Sequence, residues 1–349
     1  MPLGLVLHYH AVARSQTKMM ADKYDVFGLG NALVDILALV EDDFITQQEL
    51  GKGSMQLVDA PQQGALLNKL EGLELKLRSG GSAANTMIAI AQSGGTAFYT
   101  GKIAGDTHGE FYRQDMIDAG VDFDVNPAED GPTGTSLILT TPDAERTMCT
   151  NLGVSVTLAK DDVELEQLSK CKIAYIEGYL WSGDSTREVC KHVMQAAKEQ
   201  GVQVAFTYSD MFLVDLFVED FKQITKDLCD VVFCNADEIR HFFDKKSIDE
   251  CTAALGEIVE TAFVTDGAAG CHLVHKGKVT LIEGFPAKAV DTVGAGDAFA
   301  GGVLYGLTNG LSYEDAARWG NYVASRVVEV YGARLEESLV DQVDKILGR

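Results

Sequence analysis

The chain has 349 residues, a length that suits two domains or one large α/β domain, and its 46% hydrophobic and 23% charged content supports a sizeable core and excludes disorder. A formal net charge of −23 argues against nucleic acid or an anionic membrane as partner, although backbone dipoles and bound magnesium can still hold a phosphate ligand. Seven scattered cysteines without a C-x-x-C pair fit free core thiols in a reducing cytoplasm, and no apolar run of about 18 residues marks a transmembrane helix.

Met1 to Met20 lacks the basic start and cleavage site of a signal peptide. Residues 1–21 are expected to be a poorly ordered extension before a folded unit over 22–349. Tyr24–Leu29 reads as a buried strand running into the turn at Gly30-Asn31. Leu33–Val40 is apolar around one carboxylate, Asp35, and Gly51–Val58 reads as a strand entered from a turn. Gly80-Gly81-Ser82 opens a helix over Ala83–Gln92, with Ser82 as the expected N-cap. Thr96–Ile103 follows as a strand and Gly109–Asp118 as a helix. Val121–Thr150 lacks helical periodicity and reads as a β-hairpin turning near Pro142-Asp143.

From Ile173 onward strand and helix alternate. Strands are expected at Ile173–Ile176, Val202–Phe206, Val231–Cys234 and Ala262–Thr265, and helices at Ser185–Lys198, Phe217–Lys226 and Ala236–Phe243. A hairpin of Cys271–Val274 with Val279–Ile282, a helix from Asp297 and another over Tyr313–Val330 complete the chain. This rhythm predicts an α/β fold with a mostly parallel sheet covered on both faces. The β-rich segments at about 33–60 and 121–152 do not fit it. They are expected to form a small separate sheet, a candidate lid.

Two nucleotide devices are missing. The third glycine of G-x-G-x-x-G would fall on Leu33, and Gly101-Lys102 is followed by Ile103 without the earlier glycine of a P-loop. Residues 291–302, Asp-Thr-Val-Gly-Ala-Gly-Asp-Ala-Phe-Ala-Gly-Gly, offer a different one. Gly294-Ala295-Gly296 before a helix can aim N–H groups at an anion, and Asp297 beside them suits proton transfer to or from a nucleophile. The same letters also describe a helix cap in a tight turn. Other features carry paired readings too. Gly80-Gly81-Ser82 with Asn85 is a close-approach turn or an ordinary loop before a helix. Asn31 and Asp35, past a strand end, hold sugar hydroxyls or meet a protein N–H. Asn235 and Glu238 share a helix face, where they organise magnesium waters or cap the helix. Thr265 and Gly267 line a ribose or phosphate wall, or make a plain turn.

Taken together, these residues resemble the ribokinase-like (PfkB) carbohydrate and nucleoside kinases from about Asp22 to Leu339, Gly80–Gly109 being similar to that family's first signature and Asp291–Gly302 to its second. Within the family the chain looks most like the adenosine kinases of bacterial type, through Gly30–Ile36, Pro132–Thr135, Asn151–Gly153, Glu177–Trp181 and Ser209–Phe212. The resemblance implies a ribokinase-like fold and ATP-dependent phosphorylation of a nucleoside's primary hydroxyl, adenosine to AMP in purine salvage. Asp297 would be the general base, with the N–H groups of Gly294, Ala295 and Gly296 as anion hole. Asp35 and Asn85 would hold sugar hydroxyls, with Asn31, Gly80, Gly81 and Ser82 lining the pocket. Met55 and Leu57 would cover the acceptor, although animal adenosine kinases tend to carry Gln where Met55 falls. Asn235, Glu238, Thr265, Gly267 and Asn321 would line the ATP side, and Arg146 would meet the γ-phosphate on closure. Magnesium would arrive with ATP, without a dedicated protein site. Some relatives also bind potassium near Asp291-Thr292. A monomer or homodimer is expected. A sugar kinase of the same fold, acting on ribose, fructose or a relative, is the alternative. The apolar Met55, Leu57 and Leu152 with the aromatic Tyr179 and Trp181 lean toward a flat base. A non-catalytic sensor would be expected to lack Asp297 or the glycine turn, and both are present.

Overall fold

The computed structural model describes residues 23–349 except Ala144, so the extension expected at 1–21 lies outside the described residues. In chain order the strands are β1 (Tyr24–Leu29), β2 (Leu33–Leu39), β3 (Met55–Leu57), β4 (Lys76–Gly80), β5 (Ala97–Thr100), β6 (Val121–Asp122), β7 (Gly134–Thr140), β8 (Arg146–Asn151), β9 (Cys171–Glu177), β10 (Gln203–Thr207), β11 (Val231–Asn235), β12 (Thr261–Thr265), β13 (Gly270–His275) and β14 (Lys278–Glu283). The helices are α1 (Asp42–Gln47), α2 (Ala60–Lys69), α3 (Ser82–Gln92), α4 (Thr107–Asp118), α5 (Leu165–Leu168), α6 (Asp184–Gln200), α7 (Met211–Asp227), α8 (Ala236–Phe243), α9 (Ile248–Leu255), α10 (Ala295–Thr308), α11 (Tyr313–Val327) and α12 (Val343–Leu347).

Nine strands build the larger sheet in the order β14-β13-β12-β11-β10-β9-β1-β5-β6. It is parallel from β12 to β6, and β13 and β14 extend it antiparallel. β1 is buried at every position. Its Phe27 and Leu29 join one core with Trp181 and Phe206, and its Val26 joins another with Tyr99 and Phe299. A strand apolar on both faces needs helices on both sides. This is the expected α/β architecture. Strand order reverses between β9 and β1, where the chain ends of neighbouring strands diverge and open a crevice.

A second sheet has the order β3-β8-β7-β2-β4. One face packs on α1 and α2 through Ile36, Leu137, Leu139, Ile45 and Leu66. The period of two leaves Leu33 and Asp35 on the other face. A small separate sheet was expected, but its membership is different. Lys76–Gly80 returns antiparallel to β2 and forms an unexpected edge strand. Val121–Asp122, expected in the small sheet, pairs with β5 in the larger one. Five helices, α1, α2, α5, α9 and α12, carry no expectation from the sequence, and two of them, α1 and α2, back this sheet. One of them, α2, is announced by a reciprocal capping box, in which Asp59 accepts from the Gln62 N–H and the Gln62 side chain accepts from the Asp59 N–H.

Helices α3 and α10 pack very closely. A Cβ on Gly301 would stand 2.5 Å from the Ala89 Cβ and 2.7 Å from the Thr86 carbonyl oxygen. That contact sets the first turns of both helices side by side at the crevice. No helix among the described residues is long and apolar enough to cross a membrane.

Candidate active site

A cleft of about 710 Å3 runs between the second sheet and the strand ends Glu177, Thr207, Asn235 and Thr265 of the larger sheet. Two helix N-termini open into it. Helix α3 begins after Gly81, whose φ of 100° places it in the region that favours glycine; a Cβ there would also stand 2.1 Å from the Asn31 carbonyl oxygen. Gly81 is therefore the N-cap position, not Ser82 as expected, and the Ser82 hydroxyl is left for another partner. Helix α10 begins after Gly294, with φ 77°. The two dipoles favour an anion in this volume.

The Ser82 Oγ donates to Asp297 Oδ1 at 2.6 Å, and the Asn85 Nδ2 donates to Oδ2 at 3.1 Å. Burial pushes the Asp297 carboxyl up to about 6, while these two bonds pull it back. A carboxyl in that range can serve as a base near neutral pH. Asn85, expected on a sugar hydroxyl, and Ser82, expected to line the pocket, both line the cleft and hold this carboxylate. The glycine turn also offers fewer free donors than expected. It closes on itself, so the Ala295 N–H donates to the Thr292 carbonyl at 3.2 Å. Gly294 and Gly296 line the cleft.

Asp35 faces the cleft from β2. Burial pushes its carboxyl up to about 7, against the pull of Arg146, Arg334 and Arg78. Gly80 does not line the cleft but backs this residue, with the Asp35 carboxylate filling the space a side chain would need. Asn31 lines the cleft, yet its polar atoms are engaged. Its N–H and its Nδ2 both donate to Glu177 Oε1 at 2.8 Å, and its Oδ1 accepts from Ser155 Oγ at 2.7 Å. Glu177 Oε2 accepts from the Ala83 N–H at 2.8 Å. Sequence reasoning gave Glu177 no role. Its signal was a carboxylate closing an apolar strand just before a glycine. It is buried, which pushes it up to about 7 despite these donors.

Met55, Leu57 and Leu152 line the cleft as expected, joined by Ile138 and Met148. Tyr179 lines it too. Trp181 does not: it packs edge-on against Phe206 and Phe221, and its Nε1 donates to Asp220 at 3.2 Å. A fully buried indole with its N–H satisfied serves the core.

Residues 55–338 match the model of the pfkB family carbohydrate kinases. The chain belongs to that family. It is 34% identical to the adenosine kinase from Sinorhizobium meliloti, with a TM-score of 0.86 over 93% of this chain and 99% of that one. It is 32% identical to a probable sugar kinase from Rhizobium etli CFN 42, with a TM-score of 0.87 over 94% and 99%. Adenosine kinase 2 of Arabidopsis thaliana is 27% identical over 343 residues, 91% of this chain and 98% of its own. Family membership makes the chain an ATP-dependent phosphotransferase acting on a small polar acceptor, a nucleoside or a sugar.

The residues expected on the ATP side lie at the ends of β11 and β12 and on α8 and α11. Asn235 and Glu238 line the cleft and make the capping box that was the alternative reading: Asn235 Oδ1 accepts from the Glu238 N–H at 2.8 Å, and Glu238 Oε2 accepts from the Asn235 N–H at 3.0 Å. Burial pushes Glu238 up to about 7. Thr265 lines the cleft, but Gly267 and Asn321 do not. Gly267 starts the turn into β13, and Asn321 Nδ2 donates to the carbonyls of Ile282 and Glu283 at 2.9 and 3.1 Å, tying α11 to β14. Arg146, expected at the γ-phosphate, lies outside the cleft in a buried ion pair with Asp291. The Asp291 carboxylate also accepts from the N–H groups of Val293 at 3.1 Å and Gly332 at 2.8 Å. With a guanidinium and two amides on it, this carboxylate does not fit a potassium ion as a second cation. Among the described residues no group of three His, Cys, Asp or Glu side chains is placed to hold a metal.

Proposed function

We propose that the chain transfers the γ-phosphoryl group of ATP to the primary hydroxyl of a nucleoside, adenosine above all. The observation that carries this reading is Asp297: a carboxylate beside two helix N-termini, oriented by Ser82 and Asn85. In this reading the acceptor turns its diol to Asp35 and its primary hydroxyl to Asp297. Asp297 takes the hydroxyl proton as the oxygen attacks the γ-phosphorus; the bond from that phosphorus to the bridging oxygen breaks, and ADP leaves. The N–H groups of Gly294 and Gly296 and both helix dipoles stabilise charge on the phosphoryl oxygens. The five-stranded sheet acts as a lid that keeps water from the phosphoryl group. The oxygen donors of Asn235 and Glu238 suit a hard divalent ion that keeps most of its waters, and Glu238, raised by burial, gains from a nearby cation. Magnesium bound there would neutralise charge on the nucleotide phosphates.

The acceptor assignment rests on the wall of Met55, Leu57, Ile138, Met148 and Leu152, which offers a flat apolar surface to a base. The likeness to the Rhizobium etli sugar kinase supports the alternative, a ribose- or fructose-type acceptor. The buried free thiols support a reducing, cytoplasmic setting. ATP consumption measured with adenosine, guanosine, inosine, ribose and fructose tests the reading. Adenosine is expected to lead. Turnover of free sugars alone would install the alternative, and no turnover with any acceptor would overturn both.

A further inference from the structure

The cleft-facing side of the five-stranded sheet is ordered in rows. Register places Arg78, Asp35, Ser136, Thr150 and Leu57 in one row across β4, β2, β7, β8 and β3. The next row is Lys76, Leu37, Ile138, Met148 and Met55. On the other side of the polar row lie Leu33 and Leu152. The apolar ceiling therefore carries one polar stripe, Asp35–Ser136–Thr150. The Ser136 and Thr150 hydroxyls are 2.8 Å apart, and both residues are buried yet line the cleft. Two hydroxyls bring two O–H donors. Their mutual bond uses one, and among the described residues no second protein acceptor takes the other. One O–H donor thus stands in a mostly apolar ceiling beside the carboxylate assigned to the diol.

We infer that Ser136 and Thr150 determine acceptor specificity by donating one hydrogen bond to an unprotonated ring nitrogen of a purine base. The inference rests on the nucleoside reading above and names the feature of the acceptor that the ceiling reads. Adenine presents such acceptors at N1, N3 and N7, next to an otherwise apolar face. In this reading the diol occupies Asp35, which leaves the ring nitrogen to the hydroxyl pair.

The test compares adenosine with 1-deazaadenosine, 3-deazaadenosine and 7-deazaadenosine, in each of which a C–H replaces one ring nitrogen, in the wild type and in Ser136→Ala/Thr150→Val. Ribose and fructose run in parallel. In the wild type one deaza analogue is expected to lose roughly three- to tenfold in kcat/KM, the worth of one neutral hydrogen bond. In the double variant adenosine falls by a similar factor, chiefly through KM, and the difference between adenosine and that analogue disappears. Thr150→Ser, which keeps the hydroxyl, retains the discrimination. If adenosine is turned over but none of the three analogues is penalised, or the penalty survives in the double variant, the inference is wrong while the nucleoside reading stands. If only ribose or fructose is turned over, the nucleoside reading fails and takes the inference with it.

Discussion

Ser82→Ala isolates the electrostatic part of the site. Ser82 is the first residue of α3, not its cap, so its hydroxyl has one structural partner in the cleft, Asp297 at 2.6 Å. That bond favours the charged carboxylate and opposes the burial that pushes Asp297 up to about 6. A hydrogen bond to a charged group contributes about 1.5–3 kcal/mol, and about 1.4 kcal/mol corresponds to one pH unit. Losing the bond disfavours the ionised base, so its protonation must move to higher pH, by roughly one to two pH units. The acid limb of kcat/KM, expected near 6 in the native protein, should shift upward by that amount. Well above the new limb the base is ionised again, and most of the rate should return because Asn85 still orients the other oxygen. Initial rates of ATP-dependent phosphorylation from about pH 5 to about pH 9 give both profiles. A uniform fall in rate with the acid limb unmoved would refute the reasoning, because Ser82 would then act on geometry alone.

Other outcomes follow from the same geometry. Asp297→Asn should lower kcat by at least ~10²-fold with an unchanged circular dichroism spectrum; near-normal turnover would remove Asp297 as base. Arg146→Met leaves the Asp291 carboxylate buried without its cation and should cost ~3–5 kcal/mol in urea unfolding, a small change showing that the pair is not formed in solution. Replacing potassium by choline should leave the rate unchanged, since Arg146 already neutralises Asp291; strict potassium dependence would contradict that assignment. Glu177 and Glu238 are each raised from 4.5 to about 7, so the folded state binds more protons than the unfolded one between those values. Stability of the ligand-free protein should therefore fall as pH rises through that window, and a melting temperature that climbs across it would count against both shifts.

What was legible in the sequence follows from where each requirement lies along the chain. The strands β1 and β9 to β12 stand out because each is a short apolar run bounded by turn residues, and the β7–β8 hairpin because its turn is local. The membership of the five-stranded sheet was not legible. Whether Lys76–Gly80 or Val121–Asp122 pairs with β2 is decided by a distant partner, and neither segment's own pattern records it. The site divides in the same way. Gly81 and Gly294 betray themselves because a positive φ is a demand of their own backbone. Glu177, Ser136 and Thr150 work through neighbours on other strands, and only register brings those neighbours together.

Ser82 and Asn85 show the boundary between the two kinds of residue. Their helix start was readable, and so was the cavity it faces, but the partner was not. That partner is set by how closely α3 and α10 approach, and the approach depends on Ala89 and Gly301, each about one turn further along its helix than Asn85 and Asp297. Helix packing thus decides which oxygen the two side chains hold. The same small contact that looks like ordinary core packing keeps Asp297 ionisable at neutral pH, because without both donors burial alone would raise it further. In the proposed reading, a base whose pKa is held by side chains on a second rigid helix does not depend on a loop to be ready, and motion would be left to the five-stranded sheet.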